Sequence, residues 1–323
     1  MSFLKRIGID TYMILLFVMV LAGALLPARG IAAEGLGIAS YWAVTLLFFL
    51  YGAKLDPGSV RAGFLNWRLQ GLTFAATYLL FPALGLLMAA LFGGVLGPQM
   101  TTGLLFLSIL PSTVQSSIAF TSIAGGNVPA AICAASVSNM VGVVLTPLLA
   151  ALVLHQEGGG VSLDAVIRIG EQIVLPFVIG QLLRRWIGGF VARHKFLTML
   201  VDRGAILLIV YSAFSAGTVA GLWTQIPALS LVILLAVVWL FLALAFGLMA
   251  GMGRRFGLPG EDRIVLLFCG STKSLASGLP IASALFPAAA VGAIVLPTML
   301  FHLSQLLLSS ILAQRWARSP LRD

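Results

Sequence analysis

Ten apolar runs constrain this chain more than any other feature of it. Segments of spanning length can be drawn at about 11–27, 35–53, 69–93, 99–123, 128–154, 164–187, 200–221, 226–252, 263–285 and 288–312. A hydrocarbon core about 30 Å thick is crossed by about 20 apolar residues in helical form. Peptide groups in that layer find no water to bond, so each run must satisfy its backbone internally. The expected fold class is an all-α membrane protein with ten transmembrane helices, and the short connections leave little for a soluble domain. Composition agrees, with 60% hydrophobic and 9% charged residues, against roughly 25% charged in ordinary soluble domains.

The net charge of +9 does not point to nucleic acid, because the cations form short clusters between apolar runs instead of one basic face. They act as topology signals. Lys5, Arg6, Lys54, Arg61, Arg68, Arg184, Arg185, Arg193, Lys195, Arg203, Arg254, Arg255, Arg263, Arg315, Arg318 and Arg322 all fall on one side, and only Arg29 and Arg168 on the other. By the positive-inside rule both termini face the cytoplasm of a bacterial inner (plasma) membrane, with the chain multi-pass. Lys5-Arg6 ahead of an apolar stretch is also how a signal peptide begins. Its cleavage would remove the first helix and break the symmetry described next. Cys133 and Cys269 both lie inside apolar segments, away from any oxidising compartment, and no zinc motif is present.

The fourth segment contains Pro111-Ser112-Thr113-Val114-Gln115-Ser116-Ser117, and the ninth contains Gly270-Ser271-Thr272-Lys273-Ser274-Leu275-Ala276-Ser277-Gly278. Each runs on into a Pro-Ala-Ala sequence, at Pro129 and Pro287. The Ser-Thr pairs are 159 residues apart and the prolines 158, close to half the chain. The expected organisation is a first repeat at 1–160 and a second at 161–323. Five helices in each half make the repeat inverted. The alternative is two unrelated polar kinks in helices that pack together.

Polar runs around a proline favour helix breaks, and a break at membrane depth frees carbonyls for a cation and amides for an anion. Lys273 is the sharpest single residue, since a charge far from either helix end costs at least ~2.5 kcal/mol on insertion scales. It is either a fixed or titrating cation in the crossing region or an ammonium bonded to helix-end carbonyls for structure alone. The candidate substrate- and ion-binding set is Ser112, Thr113, Gln115, Ser116, Ser117, Asn139, Ser271, Thr272, Lys273 and Ser274. Asn139 and Ser138 fall one turn beyond Ala135 and can face the break. Glu171, near Gln172 and Gln181, is a proton or cation ligand or an i,i+3 partner of Arg168. His302 relays protons or hydrogen-bonds at a helix contact. Gly158-Gly159-Gly160 reads as a flexible loop.

These features favour a secondary transporter of a small organic anion, with no catalytic residues and no cofactor beyond Na+ or H+ coupling. No ATPase loop is present, and metal ligands and oligomeric state, monomer or homodimer, stay open. A regulatory or scaffolding membrane protein is the alternative. An intramembrane enzyme lacks any Ser-His-Asp or paired-carboxylate set at membrane depth.

Tyr51-Gly52-Ala53-Lys54-Leu55, Phe81-Pro82, the stretch from Pro111 to Asn127, Leu175-Pro176 and Cys269 to Leu275 resemble the bile acid:sodium symporter superfamily. The likeness is to its divergent branch of bacterial and animal symporters, the sodium/bile acid cotransporter 7-like proteins, over nearly the whole chain. The resemblance implies a panel domain from helices 1, 2, 6 and 7 and a core domain from helices 3–5 and 8–10, with helices 4 and 9 broken and crossing. Substrate would bind between the domains, by alternating access. It also implies sodium sites that this chain alters: no carboxylate stands in the ninth-helix break, Ser116-Ser117 replaces Ser-Asn, Ala131 and Ala135 replace hydroxyl residues, and Thr77 replaces a glutamine. On this reading Lys273 supplies the positive charge of a bound sodium.

Overall fold

The computed structural model describes residues 11–54, 66–154, 170–221, 224 and 226–318. All regular structure among them is helical. The helices are α1 (Thr11–Leu25), α2 (Ile31–Lys54), α3 (Trp67–Leu96), α4 (Pro98–Ile109), α5 (Gln115–Ile123), α6 (Val128–Val153), α7 (Gly170–Arg193), α8 (Lys195–Val219), α9 (Ala228–Arg255), α10 (Gly260–Ser271), α11 (Leu275–Leu285) and α12 (Ala288–Arg318).

Eight of the helical runs are long and apolar enough to cross a membrane, with α10 and α11 counted as one run. The first and fourth apolar segments fall outside that set for different reasons. Among the described residues α1 is 15 residues long, Thr11–Leu25, whereas the fourth segment is divided by five non-helical residues, 110–114. Helix α8 begins at Lys195, five residues ahead of its apolar segment, and within that segment Asp202 pairs with Lys54 of α2 while Arg203 lies 4.9 Å over the Tyr12 ring.

The interior divides into two main apolar groups. One joins α3, α4, α5, α6, α9, α10 and α12, and its centre is the mutual contact of Phe81, Phe241 and Phe301 at ring distances of 5.3, 5.8 and 6.1 Å. Such aromatic contacts add to area burial. The second group joins Leu16, Leu47, Phe48, Ile209 and Phe214 of α1, α2 and α8 to one face of α4, α11 and α12 through Phe106, Leu279 and Val295.

Small residues let two helices meet backbone to backbone. A Cβ on Gly52 of α2 would collide with the Phe177 carbonyl of α7, and one on Gly180 with the Phe49 carbonyl of α2. At one end of the first group, three helix starts share a carboxylate. Asn66 and Asn127 cap α3 and α6, accepting from Leu69 N and Ala130 N. Their amides both donate to Asp262 in the first turn of α10, at 2.8 and 2.9 Å. A carboxylate is favoured beside helix N-termini by their dipoles.

Candidate functional site

Helix α4 stops at Ile109 because Leu110 precedes a proline, which disfavours the helical region; Leu110 is extended, at φ −71° and ψ 153°. Helix α10 stops at Ser271, and Thr272 is likewise extended, at φ −105° and ψ 151°. The two non-helical stretches lie against each other. The Ser274 N–H donates to the Pro111 carbonyl at 2.8 Å, and the Ser112 and Thr272 hydroxyls are 3.3 Å apart. Helix α6 closes the third side: Ser112 N donates to the Ser138 hydroxyl (3.0 Å), and the Asn139 amide donates to the Ser112 carbonyl (2.8 Å) while its oxygen accepts from Ser277 (2.8 Å). The broken backbone is thus satisfied by protein groups, the condition for irregular chain in an apolar surrounding.

Lys273 is fully buried. Its three ammonium protons go to three carbonyls, those of Thr77 (2.9 Å), Ser108 (2.8 Å) and Leu110 (2.7 Å), and the Phe81 ring centroid lies 4.2 Å from the nitrogen. Local geometry explains why those oxygens are available. In α3 a π-turn over Ala76–Leu80 sends the Phe81 N–H to Ala76 O instead of Thr77 O. The next residue is Pro82, which has no N–H, so the Thr77 carbonyl is left without a donor from its own helix. Ser108 and Leu110 lie at the C-terminal end of α4, where helix carbonyls are orphaned and carry partial negative charge. The lysine therefore occupies a carbonyl cage with an aromatic wall, a cation site filled by the chain itself.

Beside this cage is a hydroxyl cluster. Thr113 and Ser117 are 2.6 Å apart, Ser116 donates to Thr113 at 2.7 Å, and Thr272 stands 2.8 Å from Ser117 and 3.3 Å from Thr113. Ser117 and Thr272 also bond the Phe268 carbonyl. Ser271 bonds back to Leu267 O within its helix, and Ser274 caps α11 by accepting from Ser277 N at 3.2 Å. Gln115 is exposed at the start of α5 and takes no part in the cluster. Of the ten candidates, the structure therefore brings nine around the two breaks.

Gln305 of α12 was not among the candidates. Its oxygen accepts from Lys273 N (2.8 Å) and its amide donates to Lys273 O (2.9 Å), so one buried side chain clamps both peptide groups of the lysine. His302, one turn earlier, stands 2.8 Å from the Gln305 nitrogen and 3.5 Å from Lys273 O. A fully polar side chain within an apolar helix was the signal that could have found Gln305. Glu171 is exposed, and Arg168, with the glycine run 158–160, lies outside the described residues. Gln172 reaches Tyr41 O at 3.5 Å. Between α1, α11 and α12 is a cavity of about 10 Å3, lined by Leu16, Phe17, Leu275, Met299, His302 and Leu303. That is room for about one water.

The chain matches the pattern of the SBF-like CPA transporter family over residues 10–318. It is 49% identical over 310 residues to an uncharacterized protein of Pseudomonas aeruginosa, covering 96% of this chain and 93% of that one. It is 43% identical over 310 residues, with the same coverage, to the protein of Escherichia coli (strain K12) named "Putative symporter YfeH". Sodium/bile acid cotransporter 7-A of Xenopus laevis is 26% identical over 320 residues, covering 97% of this chain and 93% of its own.

Proposed function

This chain belongs to the SBF-like CPA transporter family, a family of membrane transporters and not of enzymes, and we propose that it carries a small organic anion across the bacterial inner membrane with Lys273 in the role of a bound cation. The observation that carries the reading is the lysine's ammonium, held by three orphaned carbonyls at the junction of two interrupted helices.

In this reading the chain crosses the membrane ten times, α4–α5 and α10–α11 being two broken crossings, with both termini cytoplasmic. The halves 1–160 and 161–323 form inverted repeats. Packing supports the pairing: α1 packs on α8 and α2 on α7, which are equivalent contacts if helices one to five repeat as six to ten. The apolar group confined to α3–α6, α9, α10 and α12 supports a core domain separate from a panel of α1, α2, α7 and α8. The second group is their interface, and the small cavity within it is too tight for an organic ion. Access then requires the core to move against the panel, as alternating access does.

The positive charge stays with the chain, so the site favours an anion without needing sodium to complete it. Hydroxyls of Thr113, Ser116, Ser117 and Thr272 line the crossing with groups that reorient as donors or acceptors. The test is uptake into proteoliposomes across a panel of organic anions, with sodium, potassium or a proton gradient, for wild type and Lys273→Met. Saturable uptake that ignores sodium and is lost in the variant supports the reading. Uptake that needs sodium in the wild type would sink the cation role of Lys273, and no saturable uptake of any anion would sink transport itself.

A further inference from the structure

A second polar feature lies far from the crossing, at the end of the structure where α2 finishes, α7 finishes and α8 begins. A cleft of about 460 Å3 opens there, lined by Lys54, Arg184, Gly188, Gly189, Lys195 and Thr198. We propose that this cleft binds the phosphate headgroup of an anionic phospholipid. The side of the membrane on which it lies rests on the topology given under the proposed function; the binding chemistry does not.

Three observations converge on a headgroup. The first is charge: three cationic side chains from three helices share one cleft, and although Lys54 is ion-paired with Asp202 of α8, the lining keeps a net positive charge. The positive lining is built from separate elements and is not a run along one exposed face. A phosphate between them draws on two kinds of donor, the planar guanidinium of Arg184 and the ammonium groups of Lys54 and Lys195.

The second is the floor. Gly188 and Gly189 follow one another in α7, and a Cβ built on Gly189 would meet nothing within 4 Å. Two glycines in a helix interior cost up to about 1 kcal/mol each relative to alanine. At Gly189, which lines the cleft, no close packing asks for the missing side chain, and its absence leaves the space there open.

The third is the level. Trp186, Phe190 and Phe196 are 61%, 55% and 73% exposed on the same two helices, at the height of the cleft but outside its lining, and the Arg185 guanidinium stacks 3.6 Å from the Trp186 ring. Exposed aromatic side chains with stacked cations are the composition of a membrane interface, where rings sit at headgroup level. A cleft at that level meets headgroups directly, with the acyl chains of the bound lipid running down the outer, aromatic-bearing face of α7 and α8. Basic clefts between membrane helices are suited to anionic headgroups for this reason.

The experiment uses the full chain purified in a neutral detergent, without substrate, so that its outcome is independent of transport. Thermal unfolding midpoints are read with phosphatidylglycerol, with phosphatidylcholine, and with millimolar glycerol phosphate alone. Variants are Gly189→Glu, which places a carboxylate in the open floor while keeping the helix, and the pair Arg184→Gln with Lys195→Gln. Phosphatidylglycerol should raise the wild-type midpoint by about 5 °C, with a smaller shift from phosphatidylcholine and none from glycerol phosphate. Gly189→Glu should abolish the difference between the lipids, and the paired variant should lose about 30-fold in preference for phosphatidylglycerol. Equal shifts from both lipids, or an undiminished preference in Gly189→Glu, would overturn the cleft as a headgroup site. A shift from glycerol phosphate matching that from lipid would overturn the lipid as its occupant.

Discussion

Replacing Lys273 by methionine removes the ammonium while keeping most of the side-chain volume, which isolates the cage as the thing perturbed. The Thr77, Ser108 and Leu110 carbonyls then lose their common donor in a fully buried place. An unsatisfied buried polar group costs about 1–3 kcal/mol, so three of them cost roughly 3–9 kcal/mol gross. Against this stands the several kcal/mol spent on burying the charge itself, which the variant no longer incurs. A net loss of about 3 kcal/mol is the expected balance, lowering the midpoint by about 5–10 °C in detergent. Lys273→Ala should behave differently in one respect, because it also empties the space among the carbonyls. Three oxygens around a vacated ammonium position can hold a monovalent cation with water. Sodium at 100 times its dissociation constant would then return about 2.7 kcal/mol to the alanine variant, while leaving wild type unaffected. The assay is thermal unfolding of wild type, Lys273→Met and Lys273→Ala in sodium, potassium or choline chloride. A wild type stabilised by sodium, or an alanine variant as stable as wild type in choline, would refute the filled-cage argument.

Three further perturbations test the frame around the site. Gly52→Ala or Gly180→Ala should destabilise by about 1–3 kcal/mol by forcing α2 and α7 apart, whereas Gly71→Ala, with nothing within 4 Å of its Cβ, should be neutral or slightly stabilising; unfolding midpoints of the three compare directly. Asp262→Ala should cost about 3 kcal/mol, since the Asn66 and Asn127 amides both lose a charged acceptor at the N-termini of α3 and α6; hydrogen exchange should show the loss first in the opening turns of those helices. Gln305→Leu should lower uptake by about tenfold or more, because the peptide of Lys273 loses both its partners, and Gln305→Glu, which keeps an acceptor for Lys273 N but no donor for Lys273 O, should fall between the two in the same proteoliposome assay.

Some of this protein is legible along the chain. Apolar runs of about 20 residues and their charge asymmetry are local properties, so helical class and membrane character follow from reading one segment at a time. The polar, proline-bearing stretches at Pro111 and Ser271 are local too, because a proline disfavours helix at the residue before it whatever surrounds it. Lys273 stands out for the same reason, as a charge in a stretch that is otherwise apolar or hydroxylic. What that lysine does depends on residues remote in sequence: Thr77 is 196 positions away, Ser108 165 and Leu110 163. Both readings of it left open by the sequence, working cation and structural ammonium, are compatible with a cage whose oxygens come from a π-turn in one helix and the end of another. Gln305 is less legible: its polarity marks it within an apolar helix, but a glutamine alone carries no sign of what it clamps. The cleft at Lys54, Arg184 and Lys195 was visible only as charge on the positive side, since hydropathy locates cations along the chain but not across it. Sequence determined where helices form and where they fail. Tertiary structure decided which orphaned carbonyls met which donors, because that pairing is set by packing between helices and leaves no periodic trace in any one of them.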